Sequence, residues 1–229
     1  MKRLLNAMFG AMLVLALGCN SQTNNGKDIK LANEIDSVSY SLGLNVAKNV
    51  KTQGMEGFNS DALVKGFNDG FSGNTPMLSD MDAGSCLNSY FQKAQLAKSE
   101  ATKEAGEAFL AQNKTRKGVV TTESGLQYEI LKEGTGKKPK LEDKVTTHYH
   151  GTLIDGTVFD SSVNRGEPVS FNVNGVIPGW TEALQLMPVG SKWKLYIPPD
   201  LAYGERGAGN AIGPNETLIF EVELISIDE

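Results

Sequence analysis

Residues 176–184 have the sequence Val-Ile-Pro-Gly-Trp-Thr-Glu-Ala-Leu. They overlap the one short amphipathic helical stretch in the second half of the chain, which is predicted from Gly179 to Leu186. Strand-like alternation of apolar and polar residues surrounds this stretch. It occurs at residues 126–130, 145–151, 193–197 and 218–227. Glycine-, asparagine- and proline-containing turns separate these strands. The second half is therefore predicted to be an antiparallel α+β domain with a single helix.

The first half, from residue 28 to residue 116, has helical periodicity instead. Its first predicted helix carries an apolar stripe, which ends where Gly54 and Gly57 interrupt the pattern. Ser60 is predicted to cap a second helix and Ser79 a third. The stripe of the first helix consists of Leu31, Ile35, Val38, Leu42, Val46 and Val50, and that of the second of Leu63, Phe67 and Phe71.

The third helix is predicted to be long, because no proline interrupts the chain between Ser79 and Pro139. A helix from Ser79 to Arg116 would span roughly 55 Å. Two short helices cannot cover that length, so part of it must be solvated or paired with another chain. The polar residues 98–117 favour a free-standing stalk. Gly106 lowers the stability of this helix by about 1 kcal/mol relative to Ala, which weakens the prediction that the helix is continuous.

The first nineteen residues are predicted to be an export signal rather than part of the fold. Lys2 and Arg3 precede a short apolar run that is well below the ~20 residues needed to span a bilayer. The run ends at Leu-Ala-Leu-Gly-Cys, which resembles a bacterial lipoprotein cleavage site and implies lipidation of Cys19. An ordinary cleaved signal is the alternative. Residues 20–27 are polar and are predicted to form a flexible tether.

Composition and cysteine usage limit the possible functions. The 22 basic residues against 27 acidic ones provide no basic patch for nucleic acid. A lipidated Cys19 would leave Cys86 without a partner in its own chain, so Cys86 is predicted to be a small buried residue, with an intermolecular disulfide as the alternative. His148 and His150 share the outer face of a strand, and two ligands alone do not make a zinc site.

Five segments together resemble FKBP-type peptidyl-prolyl cis-trans isomerases, in order and in spacing. The resemblance implies a twisted antiparallel sheet wrapped around one short helix, and an isomerase domain at residues 117–229. The segments are Tyr149-His-Gly-Thr-Leu153, Gly156-Thr-Val-Phe-Asp-Ser-Ser162, Val176-Ile-Pro-Gly-Trp-Thr-Glu-Ala-Leu184, Ile197-Pro-Pro-Asp-Leu-Ala-Tyr-Gly204 and Thr217-Leu-Ile-Phe-Glu-Val-Glu-Leu224.

The same resemblance implies a substrate pocket between helix and sheet. It assigns catalytic roles to Tyr149, Phe159, Asp160, Tyr203 and Phe220, and substrate binding to Phe171, Val176, Ile177, Trp180 and Ile212. The Tyr203 hydroxyl and the Ile177 N–H are the expected donors to the substrate carbonyl. The segment from Gly204 to Asn215 departs from the family pattern, because it is small, polar and glycine-rich, with Ile212 as its clearest apolar contact.

Elementary chemistry supports this interpretation. Rotation about an X–Pro bond faces a barrier of roughly 18–20 kcal/mol, because amide resonance must be broken. A site that favours the twisted amide over either planar isomer lowers that barrier. Aromatic walls provide a dry slot for a proline ring, and a few fixed donors orient the carbonyl. No nucleophile, metal or cofactor is required.

The helical half resembles, more loosely, the N-terminal domain of Mip-like isomerases. The resemblance depends on Ser39-Tyr-Ser-Leu-Gly43 and Leu63-Val-Lys-Gly-Phe67, which precede a long helix. The resemblance implies a homodimer through residues 28–116, anchored by lipid in a bacterial cell envelope and facing the periplasm. It implies an enzyme that isomerises X–Pro bonds in unfolded or partly folded exported proteins. The alternatives are a periplasmic holdase chaperone with incidental turnover and an inactive structural lipoprotein.

Overall fold

The computed structural model describes residues 29–228. The predicted export signal, the lipidation site at Cys19 and the predicted tether lie outside the described residues. The chain divides into two compact units, one ending at Lys48 and the other beginning at Asn49. Within residues 29–228, no helix combines the length and apolar character required to cross a bilayer.

The predicted helices are present as α1 (Glu34–Thr52), α2 (Ser60–Ser72) and α3 (Asp80–Asn113). Leu31 precedes α1 instead of belonging to it. Asn59, not Ser60, caps α2, and its side chain accepts a hydrogen bond from the Ala62 N–H at 3.0 Å. Ser79 caps α3 as predicted, with its Oγ 3.1 Å from the Asp82 nitrogen. The helical half therefore follows the sequence pattern to within a few residues.

A seven-stranded antiparallel sheet forms the second half of the chain. Neighbouring strands are ordered β1-β2-β6-β7-β3-β4, and β5 pairs with the other end of β3. Along β3 every second residue from Val145 to Leu153 is buried, as the alternating sequence predicts. The strands are β1 (Val119–Thr121), β2 (Gln127–Lys132), β3 (Lys144–Leu153), β4 (Val158–Ser161), β5 (Val169–Asn172), β6 (Lys192–Ile197) and β7 (Leu218–Asp228).

The predicted helix is α5 (Pro178–Leu186), which packs against the sheet. Its residues Trp180, Ala183 and Leu184 belong to the same buried cluster as the inward-facing residues of β3, β6 and β7. Pro178 occupies the first helical turn, where its missing N–H costs no hydrogen bond. The prediction of a single helix needs one correction: residues 162–165 form a further one-turn helix, α4 (Ser162–Arg165).

The prediction that residues 98–117 stand free is wrong for the last turns of α3. Phe109 packs against Tyr196 of β6, with 5.9 Å between ring centroids. Gln127 of β2 donates to the Leu110 carbonyl at 3.0 Å and accepts from the Asn113 side chain at 2.9 Å. The end of α3 is thus held to the sheet by one aromatic contact and a buried amide pair.

The prediction of a buried Cys86 is also wrong for the single chain. Cys86 lies on α3, is a free thiol and is exposed. The prediction of burial requires that the apolar helical face around Cys86 be covered. That face has no cover from the other described residues, because Leu87 and Tyr90 beside it are also exposed.

Candidate active site

One cavity of about 610 Å³ lies between α5 and the sheet. All ten residues that the sequence assigned to the substrate site line it, although they come from four strands, one helix and two loop segments. Gly175, Ala208 and Ala211 also line it and were not predicted. The predicted set consists of Tyr149, Phe159, Asp160, Phe171, Val176, Ile177, Trp180, Tyr203, Ile212 and Phe220.

Trp180 is the centre of the aromatic wall. Its ring meets those of Tyr149, Phe171 and Phe220 edge to face, at centroid distances of 5.4, 5.7 and 5.3 Å. Phe159 continues the set by packing at 82° to Phe220, 5.3 Å away. Such perpendicular pairs are favourable arrangements of aromatic quadrupoles. The rings support one another and give the cavity rigid apolar walls.

Backbone placement explains why these rings converge. Tyr149 points inward from β3, and Phe220 does so from β7, next to β3 in the sheet. Gly151 lies directly opposite Phe220 in that pairing. A Cβ atom on Gly151 would lie 2.7 Å from the Phe159 ring and 2.8 Å from the Phe220 ring. The glycine therefore leaves the space that both rings occupy.

A small polar network stands at one side of the cavity. The Tyr149 hydroxyl donates to Asp160 Oδ2 at 2.5 Å, and Arg165 of α4 donates to Asp160 Oδ1. Arg165 Nη2 also donates to the Tyr149 hydroxyl at 2.8 Å, and its guanidinium lies 5.6 Å from the centre of the Tyr149 ring. The network fixes the Tyr149 ring and the Asp160 carboxylate relative to each other.

The network also sets the charge state of its members. Burial acts to raise the pKa of Asp160, but the hydrogen bonds from Tyr149 and Arg165 outweigh it and lower that pKa below 3.8. Burial, together with the hydrogen bond to Asp160, raises the pKa of Tyr149 above 10.0. At neutral pH the network therefore contains a carboxylate, a neutral phenol and a guanidinium.

The sequence interpretation missed Arg165. A carboxylate at an apolar cavity requires a nearby cation or donor, and Arg165 follows Asp160 by five residues across a single helical turn. That requirement is the signal that could have identified it. The two predicted donors to the substrate carbonyl lie in separate parts of the site. Tyr203 is 41% exposed, and Ile177 immediately precedes the first turn of α5.

The two histidines lie on β3 outside this cavity, half-buried on the opposite face of the sheet. His148 Nδ1 is 3.1 Å from Ser162 Oγ, and His150 Nδ1 is 2.9 Å from Ser161 Oγ. Across residues 29–228, no three His, Cys, Asp or Glu side chains are grouped so as to hold a metal ion. The histidines act here as hydrogen-bond partners of the β4–α4 junction.

Comparison with known families agrees with this geometry. The family model described as "FKBP-type peptidyl-prolyl cis-trans isomerase" matches residues 135–225. The model described as "Domain amino terminal to FKBP-type peptidyl-prolyl isomerase" matches residues 35–130. The chain belongs to the FKBP-type peptidyl-prolyl cis-trans isomerase family, and it is an isomerase. The alternative of a holdase with incidental turnover is not favoured.

Within this family the chain is similar to the Mip and FkpA proteins. It is 47% identical to the "Outer membrane protein MIP" of Legionella longbeachae, over 99% of this chain and 97% of the relative. It is 49% identical to the "FKBP-type 22 kDa peptidyl-prolyl cis-trans isomerase" of Escherichia coli (strain K12), over 82% and 93%. The crystal structure of FkpA from Escherichia coli matches with a TM-score of 0.68 and 38% identity, over 87% of this chain and 99% of that one.

Proposed function

We propose that the cavity beneath α5 is the isomerase site and that it acts on X–Pro bonds of unfolded or partly folded exported proteins. The observation that carries this proposal is the convergence of ten residues, distant in sequence, on one apolar cavity of about 610 Å³. Ligand sites are typically concave, mostly apolar and furnished with a few placed polar groups. This cavity has all three properties.

In this mechanism the prolyl ring enters against Trp180, beside the wall formed by Phe159 and Phe220. Removal of the amide from water disfavours the polar, planar resonance form, which lowers the cost of twisting. The Ile177 N–H and the Tyr203 hydroxyl donate to the carbonyl of the twisted bond. Phe171, Val176 and Ile212 complete the apolar contact with substrate.

Asp160 provides a fixed negative charge at the edge of the cavity. Because Tyr149 and Arg165 both donate to it, the carboxylate keeps one orientation and remains ionised in a partly buried place. It can orient the substrate backbone there. Tyr149 thereby acts both as a wall and as the donor that holds Asp160.

A proline-limited refolding assay tests the site assignment. Uncatalysed isomerisation takes ~10–100 s, so catalysis is visible as loss of the slow phase. We expect Phe159→Ala and Tyr203→Ala each to reduce the acceleration at least about tenfold, equivalent to about 1.4 kcal/mol. Tyr90→Ala is the matched control, because Tyr90 and Tyr203 are both 41% exposed and Tyr90 lies on α3, outside the cavity. Full activity in both cavity variants would refute the assignment.

We also propose that residues 28–116 form the interface of a homodimer. The apolar stripe of α2 is exposed in the single chain: Phe67 and Phe71 stack with centroids 5.8 Å apart, yet they are 57% and 83% exposed. On α1, Ile35 and Val38 are 68% and 55% exposed. Exposed apolar stripes of this kind are rare on monomers, and two lone helices have too little core to be stable alone. A second copy of the same chain would cover these faces.

Sedimentation of residues 20–229 at micromolar concentration tests the dimer. We expect twice the monomer mass. Phe67→Asp should yield a monomer, because it places a charge on the apolar stripe of α2. Asn68→Asp introduces the same carboxylate next to it, at an exposed polar position, and should leave the dimer intact. A wild-type protein that sediments as a monomer would contradict the proposal.

We place the protein in a bacterial cell envelope, attached to a membrane through lipid on Cys19 and facing the periplasm. Support comes from the name of the Legionella longbeachae relative, an outer membrane protein, and from the apolar run that ends at Cys19. Metabolic labelling with a fatty acid should mark the wild-type chain and not Cys19→Ser, whereas Cys86→Ser should keep the label. Label retained in Cys19→Ser would exclude this anchor.

A further inference from the structure

The loop between Gly204 and Asn215, called here the pocket loop, is a closed unit at one side of the cavity. It contributes Ala208, Ala211 and Ile212 to the cavity lining. Ala208 and Ile212 exchange two backbone hydrogen bonds, at 2.8 and 3.2 Å. The Asn215 N–H donates to the Gly204 carbonyl at 2.9 Å and closes the base of the loop. The position of Ile212 therefore depends on what holds this base.

Helix α3 holds the base of the pocket loop. The side-chain amide of Asn215 donates to Ser99 Oγ at 2.9 Å, across 116 residues of sequence. Asn215 adopts a positive φ of 59°, and among residues 29–228 it is the one non-glycine residue that does so. This strained backbone lets its N–H reach Gly204 while its side chain reaches Ser99. Asn215 is thus the joint between the loop and the helix.

A second contact, two residues further on, fixes the same junction. A Cβ atom on Gly106 of α3 would lie 2.5 Å from Thr217 Oγ1, so the backbone of the helix approaches Thr217 directly. Thr217 is buried and immediately precedes β7, the strand that carries Phe220. Residues 215–217 are therefore pressed against α3 at two points, Ser99 and Gly106, about two helical turns apart.

We propose that Ser99 and Asn215 are positioning residues for the substrate cavity, which hold the pocket loop on α3 so that Ile212 faces the bound peptide. The inference rests on the proposed location of the isomerase site. By this inference, the residues needed for substrate binding include Ser99 of the helical half as well as residues of the sheet domain. The loop lines the cavity through Ala208, Ala211 and Ile212 and provides neither of the donors assigned to the carbonyl of the rotating bond, so we expect loss of its support to weaken the binding of substrate and transition state equally.

Steady-state isomerisation of short X–Pro peptides by residues 20–229 tests the proposal. Ser99→Ala should raise KM about threefold to tenfold, the range that loss of one net hydrogen bond produces, and leave kcat within about twofold. Ser99→Thr keeps the hydroxyl and should restore KM. Asn215→Gly keeps the left-handed backbone without the amide and should reproduce the effect of Ser99→Ala. Ser85→Ala, at an exposed serine of the same helix, should match the wild type.

A double-mutant cycle that combines Ser99→Ala with Ile212→Ala tests whether Ser99 affects KM through the position of Ile212. If Ser99 acts through the loop, Ser99→Ala should change KM by less than twofold once Ile212 is already truncated. Additive effects, or a wild-type KM in Ser99→Ala, would overturn the positioning role while the site assignment stands. An Ile212→Ala variant with wild-type KM would overturn both the role of the loop and the assignment of Ile212 to the substrate site.

Discussion

The substitution Gly151→Ala provides a severe test of the aromatic cavity, because it adds one methyl group behind two of its rings. The new carbon would lie 2.7 Å from Cε2 and Cζ of Phe159 and 2.8 Å from Cε1 of Phe220. Unstrained carbon atoms stay about 3.5–4.0 Å apart. Both rings must therefore move by roughly 0.7–1 Å, or β3 must shift.

Two effects of different size follow from that displacement. Overpacking of a filled interior costs about 1–3 kcal/mol of unfolding free energy. A misplacement of ~1 Å at reacting geometry costs up to about 10²-fold in rate. We therefore expect kcat/KM to fall between about tenfold and a hundredfold, more than Ile212→Ala lowers it, while the protein remains folded at 25 °C.

The assay combines proline-limited refolding with urea unfolding followed by the fluorescence of Trp180 and Trp193. Gly84→Ala is the control, because it adds the same methyl group on α3 at a place where no heavy atom lies within 4 Å apart from its chain neighbours and the backbone of its own helix. It should leave both the activity and the tryptophan transition unchanged. A Gly151→Ala enzyme with wild-type kcat/KM would refute the arrangement of Phe159 and Phe220 around this glycine.

Three further predictions follow from the contacts of α3 and from the polar network. Gly106→Ala should destabilise the sheet domain in urea unfolding by about 1–3 kcal/mol, because the added methyl group overlaps Thr217. Thr217→Ala should suppress that loss of stability. Simple additivity of the two changes would argue against the contact between Gly106 and Thr217. Isomerase activity should be constant between about pH 5 and pH 8, since the pKa of Asp160 is lowered and that of Tyr149 is raised. The activity should fall only as pH drops through the lowered pKa of Asp160, below about pH 4. A change in activity near neutral pH would contradict the network. Arg165→Gln removes one of the groups that lower that pKa, so the acid limb of the pH–activity profile should move to higher pH; an unmoved limb would show that Arg165 does not set the charge state of Asp160.

Most of the sheet domain could be predicted from the sequence because its strands have one buried face, so apolar residues alternate with polar ones. Tyr149 and Phe220 illustrate this: each lies at a buried position of an alternating strand, β3 and β7. The cavity residues could be named because they belong to segments with a known order and spacing. β4 and β5 were not predicted as strands, because four residues are too short for a periodic pattern.

The contact between α3 and the sheet could not be predicted, because polar groups make most of it. A pattern search detects apolar stripes, whereas Ser99, Gly106 and Asn113 contribute a hydroxyl, a missing side chain and an amide. Arg165 was missed for a related reason, since the need for a cation appears only when Asp160 is known to be half-buried. Cys86 shows the opposite error: an apolar face indicates that something covers it, and the pattern does not say what.

The length of α3 determines which parts of this enzyme a substrate of a given length can contact. Its 34 residues extend about 51 Å, with exposed Met81 and Leu87 near one end and the base of the pocket loop held by its second half. Along the helix, Met81 lies about 27 Å from Ser99, which contacts the base of the pocket loop. An extended polypeptide covers at most about 3.6 Å per residue, so about 8 residues are needed to bridge that distance. A tetrapeptide in the cavity is therefore too short to reach Met81 as well, whereas a denatured protein is long enough to contact the cavity and Met81 at once.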